Sequence, residues 1–132
     1  MKNSIYFLLC ALIFSSSCAT KHQDNKKFKW DGDWEWISSF GGIAGQKRTP
    51  ESTEEHIMIH IDKDSIYQYV NGELKSTWSS KLHYGKLMLQ NEESWYYLKN
   101  DIKVAVKIQD SILILNEDCS DCYEHRYVRK KN

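Results

Sequence analysis

Two of the four cysteines and one of the five histidines stand close enough together to do chemistry. Cys119-Ser120-Asp121-Cys122 places two thiols two residues apart, and His125 follows. Three chemistries fit that spacing. A disulfide would close a small turn and suits an exported chain. A redox Cys-x-x-Cys wants a helix N-terminus to lower the thiol pKa, and no helix is expected at this point. Zinc could take Cys119, Cys122 and His125, with His83 or Asp121 as a fourth ligand. The structural disulfide Cys119–Cys122, with no metal, is the expected state; the other two stay open.

The other titratable residues suggest no catalytic set. His56 and His60 lie four apart in a strand pattern, on one face but about 13 Å from each other, too far to share a metal. They read as exposed positions opposite Ile57, Ile59 and Ile61. Glu54-Glu55 and Glu92-Glu93 sit beside turn signals and read as solvated pairs, not as acid/base dyads. Gly41-Gly42-Ile43-Ala44-Gly45 lacks the Lys-Ser/Thr ending of a phosphate loop. No Ser–His–Asp order or zinc-protease motif occurs. These residues describe a chain that is not an enzyme and carries no cofactor.

The elements that must hold these residues are strands. From Trp30 onward, short apolar runs alternate with turn signals over 34–40, 57–61, 65–71, 73–82, 86–90, 95–99, 102–108, 111–115 and 123–130. Ile102, Val104, Val106 and Ile108 face one way, and Lys103, Ala105 and Lys107 the other. Asn71-Gly72 marks a tight hairpin, because both residues tolerate positive φ. No segment keeps a helical period for three turns. The expected fold is all-β: a small antiparallel up-and-down barrel of about eight short strands. The aromatic residues, five Trp, eight Tyr and four Phe, could line a cavity or fill the core. A barrel this small favours filling.

The 132 residues carry 18 basic and 18 acidic side chains, which suits one domain and excludes electrostatic binding of bulk nucleic acid. Lys2 precedes an unbroken apolar run over 5–14, too short to span a bilayer comfortably. Ser15-Ser16-Ser17-Cys18 follows directly. Small residues before a Cys resemble the lipobox of bacterial lipoproteins. That resemblance implies a signal peptide over 1–17, diacylglycerol on the Cys18 thiol and cleavage before it. Ordinary secretion, with cleavage near Ala19 or Thr20, is the other reading. Residues 18–29 hold no apolar run and read as a flexible tether whose Lys26, Lys27 and Lys29 are solvated. The folded domain is then 30–130. The stretch after Cys18 lacks an acidic cluster, which favours a periplasmic face.

Gly32-Asp33-Trp34 and Tyr127-Val128-Arg129 carry a second resemblance. The first is similar to the Gly-x-Trp that opens strand one of lipocalins. The second is similar to the last-strand segment whose Arg stacks on that Trp. Across roughly 30–130 the chain resembles small bacterial lipocalin-like lipoproteins. This implies that Gly32, Trp34 and Arg129 close one barrel end, with Arg126 as the competing partner. It also implies that the connection 41–52, with Gly41, Gly42, Ile43 and Gly45, covers the mouth. A plain surface loop is the alternative for that segment. The expected function is a monomeric, membrane-anchored envelope protein that binds a small apolar or aromatic ligand at the mouth. The alternative is a filled barrel that acts as a structural, interaction or inhibitor protein.

Overall fold

The computed structural model describes residues 29–89 and 91–131. The signal segment 1–17, Cys18 and the tether through Phe28 lie outside the described residues. In chain order the elements are β1 (Gly32–Gly41), β2 (Gln46–Arg48), α1 (Pro50–Thr53), β3 (Ile57–Ile61), β4 (Ser65–Val70) and β5 (Glu73–Ser79). There follow β6 (His83–Lys86), β7 (Glu93–Lys99), β8 (Ile102–Gln109), β9 (Ile112–Glu117) and β10 (Tyr123–Arg129). The fold is all-β and antiparallel, as the alternating runs imply.

The sheet order is β5-β4-β3-β1-β10-β9-β8-β7-β6, with β2 beside β1. The first long strand therefore pairs with the last, Trp34 opposite Arg129. The sheet curls into a half-barrel consistent with a small up-and-down barrel and a lipocalin-like fold. Among the described residues no ladder joins β5 to β6 or β7, so the seam falls in mid-chain rather than between the termini. A side-chain contact crosses it: Lys99 Nζ on β7 lies 4.9 Å from the centre of the Trp78 ring on β5.

Alternation carries the inward faces. Ile59 and Ile61 on β3, Val104 and Val106 on β8, and Leu113 and Leu115 on β9 are buried together with Trp34, Trp36, Tyr97 and Tyr127. The Asn71-Gly72 hairpin forms with φ of 51° and 83°. Asn71 Oδ1 also accepts the His56 backbone N–H at 2.8 Å, which ties that turn to the start of β3.

Three segments depart from the sequence reading. The connection 41–52 is not a long loop. Gly42 and Gly45, both at positive φ, turn β1 back into β2. Thr49 then caps α1, its side chain accepting from Ser52 N while Ser52 Oγ accepts from Thr49 N, a reciprocal capping box. The run 86–90 does not continue as a strand beyond Lys86 among the described residues either. β6 ends at Lys86, and Leu87 to Leu89 continue as an irregular strap. Finally, β1 shifts register between Trp36 and Ser38. One extra residue turns Ser39, rather than Ser38, to the interior.

Candidate functional site

At one end of the half-barrel, β1 begins and β10 finishes. Trp34 is 1% exposed there, and its Nε1 donates to the Trp30 carbonyl at 2.7 Å. The Arg129 guanidinium carbon lies 4.2 Å from the centre of the Trp34 ring. Its two terminal nitrogens donate to the carbonyls of Asp31 (2.8 Å) and Lys29 (3.1 Å). Arg126 instead turns outward and donates to Glu124 at 2.8 Å. Gly32 has φ +122°, and a Cβ there would lie 2.8 Å from Arg129 Nη1. A side chain at Gly32 would therefore displace the guanidinium. We expect Arg129→Ala to cost on the order of 1 kcal/mol in a urea titration, since water replaces part of the stacking and the carbonyl contacts. A cost below a few tenths of that would mean the stacking is incidental.

In the interior, β1, β10, β9, β7 and β5 assemble a chain of polar groups. Trp36 Nε1 donates to Ser39 Oγ at 2.8 Å, and Ser39 Oγ lies 2.7 Å from His125 Nδ1. His125 Nε2 lies 3.5 Å from Glu117 Oε1, and Lys99 Nζ donates to the same oxygen at 3.1 Å. From there Lys99 reaches the Trp78 ring across the seam. The assignment that satisfies each group puts the Ser39 proton on the bond to Nδ1 and the imidazole proton on Nε2, facing the carboxylate. The His125 contact, with the Lys99 charge, holds the Glu117 carboxyl down to about 2, against burial, which raises it. Burial pushes the Tyr97 and Tyr127 phenols up, so both stay neutral.

Ser, His and Glu thus meet in space although no sequence order announced them. The arrangement does not expose a nucleophile. Ser39 is 4% exposed and its oxygen already accepts the Trp36 N–H. Its role is to orient His125, which in turn faces Glu117. Both imidazole nitrogens are engaged by Ser39 and Glu117, not by Cys119 or Cys122. Sequence reasoning missed this chain because it depends on the β1 bulge and on pairings between distant strands.

Beside the polar chain lies a cavity of about 30 Å³ bounded by Ile59, Ile66, Trp78, Tyr97 and Tyr127. That is room for one or two waters. At the other end, the Gly42–Gly45 turn and the Cys119–Cys122 turn flank an open hollow of about 400 Å³, with Gly41, Gly42, Ile43, Ala44, Asp121 and Tyr123 on its walls. Ile43 is 92% exposed and Phe40 59%. A Cβ on Gly41 would collide with the Cys122 carbonyl, so the two turns pack backbone to backbone. Cys119 and Cys122 lie at disulfide distance, their Cα atoms 5.3 Å apart.

His56 and His60 stand apart from all of this. His60 Nδ1 meets Asp33 Oδ1 at 2.6 Å, and His56 Nε2 lies 3.8 Å from Glu35. Compared with known proteins, the chain matches no family model, no curated protein and no solved structure.

Proposed function

We propose that this is a lipid-anchored protein of the bacterial cell envelope, lipocalin-like in architecture, that works through its outer surface rather than by carrying a ligand inside. One observation carries the reading: the interior is filled. Its cavity of about 30 Å³ falls far below the roughly 300 Å³ at which small-molecule sites begin. Trp34, Trp36, Tyr97 and Tyr127 occupy the volume that a ligand would need. What the domain offers instead is surface, with Phe40 and Ile43 exposed at the end opposite the chain's entry into β1.

A second reading keeps a small apolar or aromatic ligand, seated in the hollow beside Ile43 rather than in the interior. The size of that hollow favours it. Titration with the apolar fluorophore anilinonaphthalene sulfonate separates the two. The filled-barrel reading expects at most a weak, non-saturable gain from the exposed Phe40 and Ile43. A stoichiometric gain abolished by Ile43→Glu would establish the mouth site instead.

The anchor rests on Cys18 and the apolar run before it. Three acyl chains hold a protein durably, because each buried methylene contributes ~0.8 kcal/mol. Cys18→Ser should move the protein from the membrane fraction to the soluble fraction, or stop its maturation. A wild-type protein recovered soluble with an unmodified thiol would refute the anchor.

A further inference from the structure

The Cys119–Cys122 turn is tied to more of the molecule than its size suggests. The Asp118 carboxylate beside it accepts the backbone N–H groups of Met88 at 2.5 Å and Leu89 at 2.9 Å. Asp118 N donates to the Lys103 carbonyl at 2.8 Å, and Gly42 N meets the Cys122 carbonyl at 3.4 Å. Glu117, on the other side, accepts from Tyr123 N at 3.4 Å. One short turn therefore holds the strap 87–89, strand β8 and the β1–β2 turn.

The strap runs along the outer face of the sheet. By alternation Ala105 points out of the barrel, yet it is 7% exposed. Leu87 is 2% exposed, and neither residue belongs to the interior core. Tyr96 is the cross-strand neighbour of Ala105, and the Lys103 ammonium lies 5.0 Å from the centre of the Tyr96 ring. That ammonium also donates to the Lys86 carbonyl at 3.0 Å. The strap thus crosses the outer face of the sheet at Lys103 and Asp118. It is tied there by Lys103 at one end and by the Asp118 carboxylate at the other. Met88 and Leu89, held by that carboxylate, are left 71% and 56% exposed.

We infer that Cys119–Cys122 is a reversible thiol–disulfide site whose redox state sets whether the strap stays on the sheet. Ser120 and Asp121 are exposed and both cysteines are half-buried, so an attacking thiolate has access. The reductant is a dithiol. Its first thiolate attacks one cysteine sulfur, breaks the S–S bond and forms a mixed disulfide. Its second thiolate then displaces that cysteine. Two electrons and two protons pass to Cys119 and Cys122, and the dithiol leaves as its own disulfide. The reduced turn leaves Asp118 N on the Lys103 carbonyl but frees its carboxylate to reorient, so the Met88 and Leu89 amides hold their acceptor less firmly. The ladders of β8, β9 and β10 do not pass through the bridge and remain. Strap release would bare Leu87 beside Met88 and Leu89, forming an apolar patch that the oxidised protein keeps partly closed.

Amide hydrogen exchange on the full-length protein, with and without dithiothreitol, tests this. The Met88 and Leu89 amides should exchange roughly tenfold faster after reduction, while Val106 and Leu113 keep their rates. Asp118→Ala should give the same fast exchange without reductant, with the bridge intact. Equal strap exchange in both redox states would overturn the inference. So would loosening of β8 and β9 together with the strap, or a bridge that yields to dithiothreitol only once the sheet unfolds. The reductant comparison needs no variant, so a poorly folding Asp118→Ala leaves the decision unaffected.

Discussion

Trp34→Ala should lower the unfolding free energy by ~3–5 kcal/mol, the range for large aromatic truncations in a core. Three interactions end at that ring. It is 1% exposed, its N–H satisfies the Trp30 carbonyl, and its face carries the Arg129 guanidinium. Removing it leaves a void at the end where β1 and β10 meet, and it deprives Arg129 of its platform. Trp30 depends on the same ring, and its own ring centre lies 5.7 Å from that of Tyr97. Collapse is hindered because the strands on either side are fixed by their ladders. A small domain holds only about 5–15 kcal/mol in all, so this one change could take most of it. Urea titration followed by circular dichroism measures the loss, and Trp34→Phe should recover a good part. A loss under ~1 kcal/mol would show that this end of the barrel is not held by its tryptophan.

Acid should weaken the fold through Glu117. Its carboxyl is held at about 2 in the folded protein against 4.5 ordinarily. A depressed pKa contributes stability that is complete above the unfolded value and disappears as pH falls through the folded one. The window is therefore about pH 4.5 down to about 2. The difference, 4.5 − 2 = 2.5, corresponds to about 3 kcal/mol at most. The carboxyl keeps some contact with solvent, and screening there lowers the figure further. Glu117→Gln should flatten the pH dependence in this window and lower stability near neutrality. Because Lys99 bridges Glu117 and Trp78, the seam between β5 and β7 should loosen first. Unchanged acid sensitivity in Glu117→Gln would refute the assignment.

Much of the architecture was legible because strand alternation is local. Ile57, Ile59 and Ile61 declare a face by themselves, and Asn71-Gly72 declares a turn by its tolerance of positive φ. Trp34 and Arg129 share a register pair that only long-range ladder pairing could establish. The short strand β2 and the capped helix α1 escaped notice, because three- and four-residue elements carry no period. Thr49-Pro50-Glu51-Ser52 did hold a cue, since a threonine before Pro commonly caps a helix. Leu87 and Leu89 alternate as they would in a ladder, so the sequence reads as a strand where the structure has the strap 87–89. Tertiary ties from Lys103 and Asp118 decide otherwise. The Ser39–His125–Glu117–Lys99 chain was invisible for a different reason. A bulge resets the faces of β1, and simple alternation would have put Ser39 outside.

The central claim is that the barrel interior is occupied by its own side chains. Native mass spectrometry of the protein extracted from its own membranes tests it most directly. The account predicts the mass of the chain from Cys18 with its acyl groups and nothing bound without a covalent link. A further small-molecule mass that dissociates on collisional activation, at one per chain, would contradict it.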